Sequence, residues 1–208
     1  MKLYEFAPTR SIRARWALQE LDVEFEPITV NLLEGKHQSP EYLKINPAGK
    51  LPALVDDEFV LTESVAIVVY LAEKYPHRQL LPRDPQLRAQ LNRWMLFTVT
   101  ELEQPLWRIA RHTFLYPENQ RIPADIEIAR GEFKQMAAVL EAYIQRREFL
   151  VGEHVSVGDF ILAYTLDWAN EEHLLNESPA LLAYMKRMYA RPKAPMRIAA
   201  AAASVGLG

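Results

Sequence analysis

Short apolar segments of two kinds alternate at the start of the chain. Residues 2–6 and 25–30 have the extended pattern of strands, whereas apolar residues from Ser11 onward recur at helical spacing. Two strands joined by a helix of this length form a right-handed βαβ unit with parallel strands. The pattern therefore predicts a mixed α/β unit at the N-terminal end.

A hairpin and a further helix are predicted next. Residues 51–55 and 59–61 are strand-like and flank the three residues 56–58, a connection short enough for an antiparallel hairpin. Residues 62–64, Thr-Glu-Ser, are N-cap residue types that precede an apolar stripe at helical spacing. The predicted order is βαβ, an intervening helix or loop, and then ββα.

The rest of the chain is predicted to be helical. Residues 76–85 contain three prolines and charged residues without an apolar period, which is typical of a linker. A long helix is expected from Leu87 to about Phe114, and Pro123 suits the first turn of the next one. The fold class is thus α/β plus all-α. The predicted domains are residues 1–76, a linker at 77–86 and an all-helical domain at 87–208.

Ser156 and Asp159 are spaced as an N-cap residue and an acid three positions later. Val155 can pack against Phe160 beside them, as in a hydrophobic staple. We interpret this segment as the start of a buried helix and not as a catalytic Ser/Asp pair.

The composition of the chain argues against several classes of function. The 208 residues carry a net charge of −3, which disfavours nucleic acid as a partner, and they include no cysteine, so the chain has no thiol nucleophile, disulfide or thiolate zinc site. The five histidines are scattered singly, which predicts no metal site. The N-terminus lacks the apolar core of a signal peptide, and no apolar run approaches the roughly 20 residues of a membrane span. We therefore expect a cytoplasmic protein.

Three segments resemble a known family. The sequence N-P-A-G-K-L-P-A-L-V-D at 46–56, followed by L-T-E-S-V-A-I-V-V-Y-L at 61–71, resembles the glutathione-binding half of the cytosolic glutathione transferases. P-T-R-S-I-R-A-R-W-A-L at 8–18 resembles the opening of many bacterial, serine or theta-like members. The resemblance covers nearly the whole chain. It implies a thioredoxin-like N-terminal domain, a C-terminal helical bundle, a homodimer and glutathione as co-substrate.

Pro52 stands where a strand should begin. Proline cannot donate to a β-ladder, so a structural strand start is the ordinary reason for such a residue. The resemblance implies instead that the Leu51–Pro52 bond is cis and that the N–H and C=O of Leu51 are left to pair with an extended peptide ligand.

The resemblance assigns residues to both acidic ends of glutathione. Glu63 and Ser64 lie at a helix N-terminus, which attracts a carboxylate, and are expected to hold the γ-glutamyl end. Helix capping is their alternative role. Lys50 and His37 are expected near the glycyl carboxylate, with solvated side chains as the alternative. Val65 stands where some members have an arginine, so one possible contact is missing.

Activation of the thiol needs a hydrogen-bond donor. A free thiol has a pKa near 8.5, and lowering it by two units requires roughly 2.7 kcal/mol of preferential thiolate stabilisation. Thr9 and Ser11 are the available hydroxyls before the first helix, and backbone N–H groups around Arg10 and Ser11 are expected to contribute. By the resemblance Thr9 falls at the catalytic serine position of serine-type members, whereas Ser11 is the serine by identity. Tyr4 is a less favoured donor, because it lies within the first strand. For Thr9 and Ser11, helix capping is the alternative role.

The segment 107–116 mixes aromatic residues with cations and is a candidate wall for the electrophile. A helix face that is partly core and partly solvated has the same composition. The candidate residues are Arg108, Arg111, His112 and Tyr116.

The expected function is conjugation of glutathione to small apolar electrophiles. The alternatives are a non-catalytic binding or regulatory protein and a glutathione-dependent isomerase, dehalogenase or peroxidase on the same fold. Intact Lys50, Pro52, Glu63 and Ser64 count against a non-catalytic role. Some members of the family use a cysteine to form a mixed disulfide with glutathione. Because this chain has no cysteine, their mechanism does not apply to it.

Overall fold

A computed structural model of the chain describes residues 1–207, arranged in two units. The first unit contains Met1–Leu81 and the segment from Tyr189 onward, and the second contains Pro82–Met188. No helix within residues 1–207 is long and apolar enough to cross a bilayer.

The first unit is built on a mixed sheet of four strands. The order is β2-β1-β3-β4, with β1 and β2 parallel and the β1–β3 and β3–β4 pairs antiparallel. This topology confirms the predicted βαβ unit and the hairpin. The strands are β1 (Lys2–Glu5), β2 (Glu26–Thr29), β3 (Ala53–Asp56) and β4 (Phe59–Thr62).

Three α-helices lie within residues 1–81, and α1 packs against α3. Their apolar faces contribute Trp16, Ile67 and Leu71 to a core in which the side chains are fully buried. Ser39 caps the short α2 by accepting a hydrogen bond from the N–H of Tyr42. The helices are α1 (Ser11–Glu20), α2 (Pro40–Leu43) and α3 (Ser64–Lys74).

The C-terminal segment of the chain belongs to the first unit. The ring of Tyr189 lies 4.9 Å from that of Trp16, and the Arg191 guanidinium makes two hydrogen bonds to Glu20, at 2.8 and 2.9 Å. A last helix, α9 (Ile198–Ser204), follows. The sequence pattern had grouped this segment with the helical domain, because ion pairs with residues so distant in the chain leave no local pattern.

The second unit is helical, as predicted. The expected single helix from Leu87 is interrupted by two π-helical turns, Thr98–Leu102 and Arg111–Leu115. Pro105 has no N–H to donate to the carbonyl four residues earlier, so the helix widens just before it. The α-helices are α4 (Pro85–Phe97), α5 (Glu103–Ala110), α6 (Pro123–Ile144), α7 (Val157–Glu171) and α8 (Pro179–Tyr189).

A buried carboxylate fixes the start of α7. Asp159 is fully buried and accepts hydrogen bonds from the N–H and hydroxyl of Ser156, both at 2.7 Å, from the N–H of Leu150 at 2.7 Å and from the Tyr184 hydroxyl at 2.5 Å. Ser156 and Asp159 form a capping box, which confirms the structural interpretation of this pair. Burial raises the pKa of Asp159, and the four donors oppose that shift.

We expect Asp159→Ala to lower the free energy of unfolding by about 3 kcal/mol or more, because it leaves several buried donors without an acceptor. Urea unfolding followed by circular dichroism measures the change. Glu127→Ala, at an exposed position on α6, is the matched control. A loss for Asp159→Ala no larger than that of the control would contradict this role.

Candidate functional site

Two hydroxyl groups are hydrogen-bonded to each other in the turn between β1 and α1. Thr9 Oγ1 donates to the carbonyl of Phe6 at 2.6 Å, and Ser11 Oγ lies 2.7 Å from Thr9 Oγ1. The N–H of Ser11 donates to Thr9 Oγ1 at 3.2 Å, and the N–H of Phe6 donates to Ser11 Oγ at 3.4 Å. Because the Thr9 proton is used on Phe6, the Ser11 hydroxyl is the donor within the pair.

The two hydroxyls differ in accessibility. Ser11 is only 2 % exposed, whereas Thr9 is partly exposed. The first turn of α1 contains no acidic residue, so the partial positive charge of the helix N-terminus is not neutralised by its own side chains. A ligand atom can therefore approach Thr9 and the helix N-terminus more easily than it can approach Ser11.

The start of α3 has an unusual backbone. Glu63 has φ +66°, in a region that a non-glycine residue rarely adopts and that costs about 1–3 kcal/mol. Its exposed side chain makes no capping hydrogen bond. Ser64 is buried and is the first residue of α3, one position later than an N-cap. Simple helix capping therefore does not account for this pair.

Arg13 is a site residue that the sequence pattern did not identify. It lies on α1, is 1 % exposed, and donates from Nη1 to Ser64 Oγ at 3.2 Å. The guanidinium adds a full positive charge beside the N-terminus of α3. An arginine among the apolar residues of α1 was the available signal, but its partner 51 residues away could not be inferred from the spacing.

The loop before β3 is held by its own polar groups. The Lys50 carbonyl accepts from the Tyr42 hydroxyl at 2.5 Å and from Asn46 Nδ2 at 2.7 Å. Gly49 has φ +60°, and a Cβ added there would lie 3.0 Å from the His37 carbonyl, so this backbone favours glycine. Tyr42 and Asn46 were not among the predicted site residues.

The Leu51–Pro52 peptide bond is cis, as predicted. The Ala7–Pro8 bond is also cis. β3 begins at Ala53, so Leu51 lies just outside the strand. Within residues 1–207, the N–H and C=O of Leu51 take no part in the backbone hydrogen bonds of turns and loops.

The two residues expected near the glycyl end lie beside this loop. The Lys50 side chain is exposed. His37 is partly buried, and its Nδ1 is buried without a hydrogen-bond partner among the described residues. A Cβ on Gly49 would lie 3.0 Å from the His37 carbonyl, so the folded chain brings the two segments together. Tyr4, by contrast, packs into the apolar cluster of Val30, Tyr42 and Ala53.

The four residues that are candidates for binding the electrophile lie in the second unit. Arg108 donates to Asp125 at 2.5 and 3.0 Å and also contacts Glu132, and His112 Nε2 lies 3.3 Å from Asp125. The Arg108 guanidinium lowers the pKa of the Asp125 carboxyl. Arg108 and His112 thus tie α5 and the π turn after it to α6. The Tyr116 ring lies 5.3 Å from that of His112, and Arg111 has no ion pair among the described residues.

Within the described part of the chain, no group of three or more histidine, aspartate or glutamate side chains is placed to hold a metal ion.

Burial raises the pKa of the Tyr42 phenol to about 12. An unfolded tyrosine ionises near pH 10, so the stability due to the protonated phenol is fully present below about pH 10 and is lost as the pH rises toward 12. We expect Tyr42→Phe to reduce this loss of stability at alkaline pH. Urea unfolding of both proteins between about pH 8 and 11.5 tests it, and parallel pH profiles would contradict it.

Comparisons with known proteins identify the family of the chain. The family model of the glutathione S-transferase N-terminal domain matches residues 1–73, and that of the C-terminal domain matches residues 104–192. Glutathione S-transferase F10 of Arabidopsis thaliana is 31 % identical, over 92 % of this chain and 94 % of that protein. A zeta-class glutathione S-transferase of Euphorbia esula is 36 % identical, over 78 % of this chain and 72 % of its own.

Solved structures give the same result. A glutathione S-transferase from Xylella fastidiosa matches with a TM-score of 0.83 at 27 % identity, over 100 % of this chain and 99 % of that one. A glutathione transferase homologue from Sulfitobacter with bound glutathione matches with a TM-score of 0.83 at 25 % identity, over 100 % of this chain and 98 % of its own. Because both family models and relatives spanning almost the full length agree, the chain belongs to the glutathione S-transferase family.

Proposed function

We propose that the protein is a glutathione transferase that conjugates the thiolate of reduced glutathione to small apolar electrophiles. The observation that carries the proposal is the accessible Thr9 hydroxyl, held at the N-terminus of α1 by Ser11 and Phe6. A hydroxyl and a helix N-terminus together can stabilise a thiolate. Further support comes from the Sulfitobacter homologue, whose structure contains glutathione.

In this proposal the loop before β3 and the start of α3 bind the tripeptide. The N–H and C=O of Leu51 pair with its main chain, as in the addition of one strand residue. Its γ-glutamyl carboxylate accepts from Ser64 and the N–H groups at the start of α3, with the charge of Arg13 beside them. Its ammonium group donates to Glu63. Lys50 and His37 bind the glycyl carboxylate.

Thr9 then acts on the sulfur. On binding, its hydroxyl turns from the Phe6 carbonyl and donates to the thiolate, while Ser11 continues to donate to Thr9 Oγ1. The thiol proton leaves to solvent. The sulfur lone pair forms the carbon–sulfur bond as the electrophile loses its leaving group with the bonding pair. The stabilisation required is roughly 2.7 kcal/mol for a shift of two pKa units, which lies within reach of a charge-assisted hydrogen bond and a helix N-terminus.

A homodimer and a cytoplasmic location remain expectations attached to this proposal. On β4, at the edge of the sheet, Phe59 and Val60 are 47 % and 43 % exposed. Apolar residues on an exposed edge strand favour a partner chain there.

We expect Thr9→Ala to lower kcat with an activated aryl chloride at least about tenfold, because it removes the donor to the developing thiolate. The limb of the pH–rate profile set by the thiol should move to higher pH, since the thiol pKa rises without the donor. Thr9→Ser should retain activity. Thr100→Ala, at an exposed threonine of the second unit, is the control.

The same variants, assayed with different substrates, distinguish the proposed function from its alternatives. Unchanged turnover and an unchanged pH profile in Thr9→Ala would contradict the role of Thr9. Glutathione binding without turnover of aryl chlorides would favour a binding or regulatory protein. Turnover of only isomerisable, halogenated or hydroperoxide substrates would favour one of the specialised enzymes.

We expect Ser64→Ala to weaken glutathione binding about tenfold, because the γ-glutamyl carboxylate loses a charge-assisted hydrogen bond. Titration calorimetry with glutathione and with cysteinylglycine, which lacks the γ-glutamyl group, measures this. Binding of cysteinylglycine should be unchanged by the mutation. Equal weakening for both ligands would show that Ser64 acts through the fold and not through that carboxylate.

A further inference from the structure

Two adjoining open cavities lie in the second unit, at the C-terminal end of α6. Their volumes are about 570 and 320 Å³, and both are lined by Tyr143 and Arg147. Arg146 and Gln145 line the larger cavity, and Arg93 and Gln90 line the smaller one. Both are open to solvent, and the arginine side chains that line them are exposed.

The charged residues that line the cavities are all positive. It includes three arginines and no aspartate or glutamate, in a chain whose net charge is −3. None of these arginines makes an ion pair with another described residue, whereas Arg108 and Arg130 of the same unit are paired with carboxylates. The cavities therefore offer cations that are free to bind an added anion.

Two of the guanidinium groups are held in place by aromatic rings. Arg147 Cζ lies 4.2 Å from the ring centre of Tyr143, and Arg93 Cζ lies 4.3 Å from that of Trp94. The Trp94 and Tyr143 rings are themselves 4.3 Å apart, so one stack joins α4 to α6. A stacked guanidinium keeps its N–H edge available for two-point binding to an oxyanion and loses little entropy when it does so.

Stabilisation of the α6 C-terminus does not explain these arginines. Cations near the end of a helix commonly interact with its last carbonyls. Arg187 Nη2 donates to the carbonyls of Arg147 and Glu148, which follow α6, at 3.1 and 2.8 Å. Arg146 and Arg147 make no hydrogen bond of that kind among the described residues.

We propose that the two cavities form one binding site for a diphosphate group. Three cations spread over adjoining cavities match a ligand with more than one anionic group, and the planar fork of arginine matches phosphate oxygens. The Tyr143 ring already contacts Arg147 and Trp94, so charge and not aromatic stacking selects the ligand. The diphosphate comes either from free pyrophosphate or from a nucleoside diphosphate.

Calorimetric titration of the full chain with sodium pyrophosphate, without divalent metal, tests the site. The expected result is one ligand per chain, weakened by salt at about 0.2 M and bound more tightly than inorganic phosphate. Arg93→Gln and Arg147→Gln should each weaken binding about tenfold. Arg147→Lys, which keeps the charge but not the fork, should also weaken it. Arg83→Gln makes the same charge change at an exposed residue outside the lining and should have no effect.

Adenosine diphosphate distinguishes the two sources, since tighter binding than pyrophosphate points to a nucleotide and equal binding points to the diphosphate alone. Thermal unfolding and circular dichroism verify that each variant is folded. The proposal is overturned if pyrophosphate gives no heat or binds no better than phosphate. It is equally overturned if Arg83→Gln weakens binding as much as Arg147→Gln, or if glutathione displaces the pyrophosphate.

Discussion

The hydrogen bond from the buried Arg13 guanidinium to the Ser64 hydroxyl connects the two helix starts on which the candidate site depends. Here the cation lies beside the first residue of α3, where helix N–H groups add further positive potential. In the proposed function this positive potential attracts the γ-glutamyl carboxylate, and the neighbouring Glu63 has a strained backbone with φ +66°.

In the first unit, the groups that fix the backbone are distinct from the groups that bind the ligand in the proposed function. Tyr42, Asn46 and Gly49 use their polar groups or their lack of a side chain to fix the backbone on either side of Lys50. Ser11 is buried and holds Thr9. Thr9, Lys50 and Glu63 are partly or fully exposed. Fixed geometry beneath accessible polar groups is what pre-organised binding requires.

The second unit uses its charges in two ways. Asp159 and Asp125 are satisfied within the unit, one by the donors around the start of α7 and the other by Arg108 and His112. These contacts join elements distant in the chain and stabilise the helical packing. Arg93 and Arg147 are instead stacked on the rings of Trp94 and Tyr143 and have no carboxylate partner among the described residues. That contrast within one unit separates structural charges from those available to a ligand.

The sequence by itself determined the features that depend on local spacing. Apolar periodicity predicted the strands and helices, and Ser156 and Asp159 predicted a helix start. The cis bond before Pro52 was implied by the resemblance of its motif to the glutathione transferases and not by local spacing. Tertiary structure decided which side chains meet. Arg13 reaches Ser64 across 51 residues, and Arg191 pairs with Glu20 across 171, which groups the C-terminal segment with the first unit. Packing also buried Ser11 and left Thr9 accessible. Periodicity and turn chemistry act within a few residues, whereas burial and the choice of partner exist only once distant segments have packed.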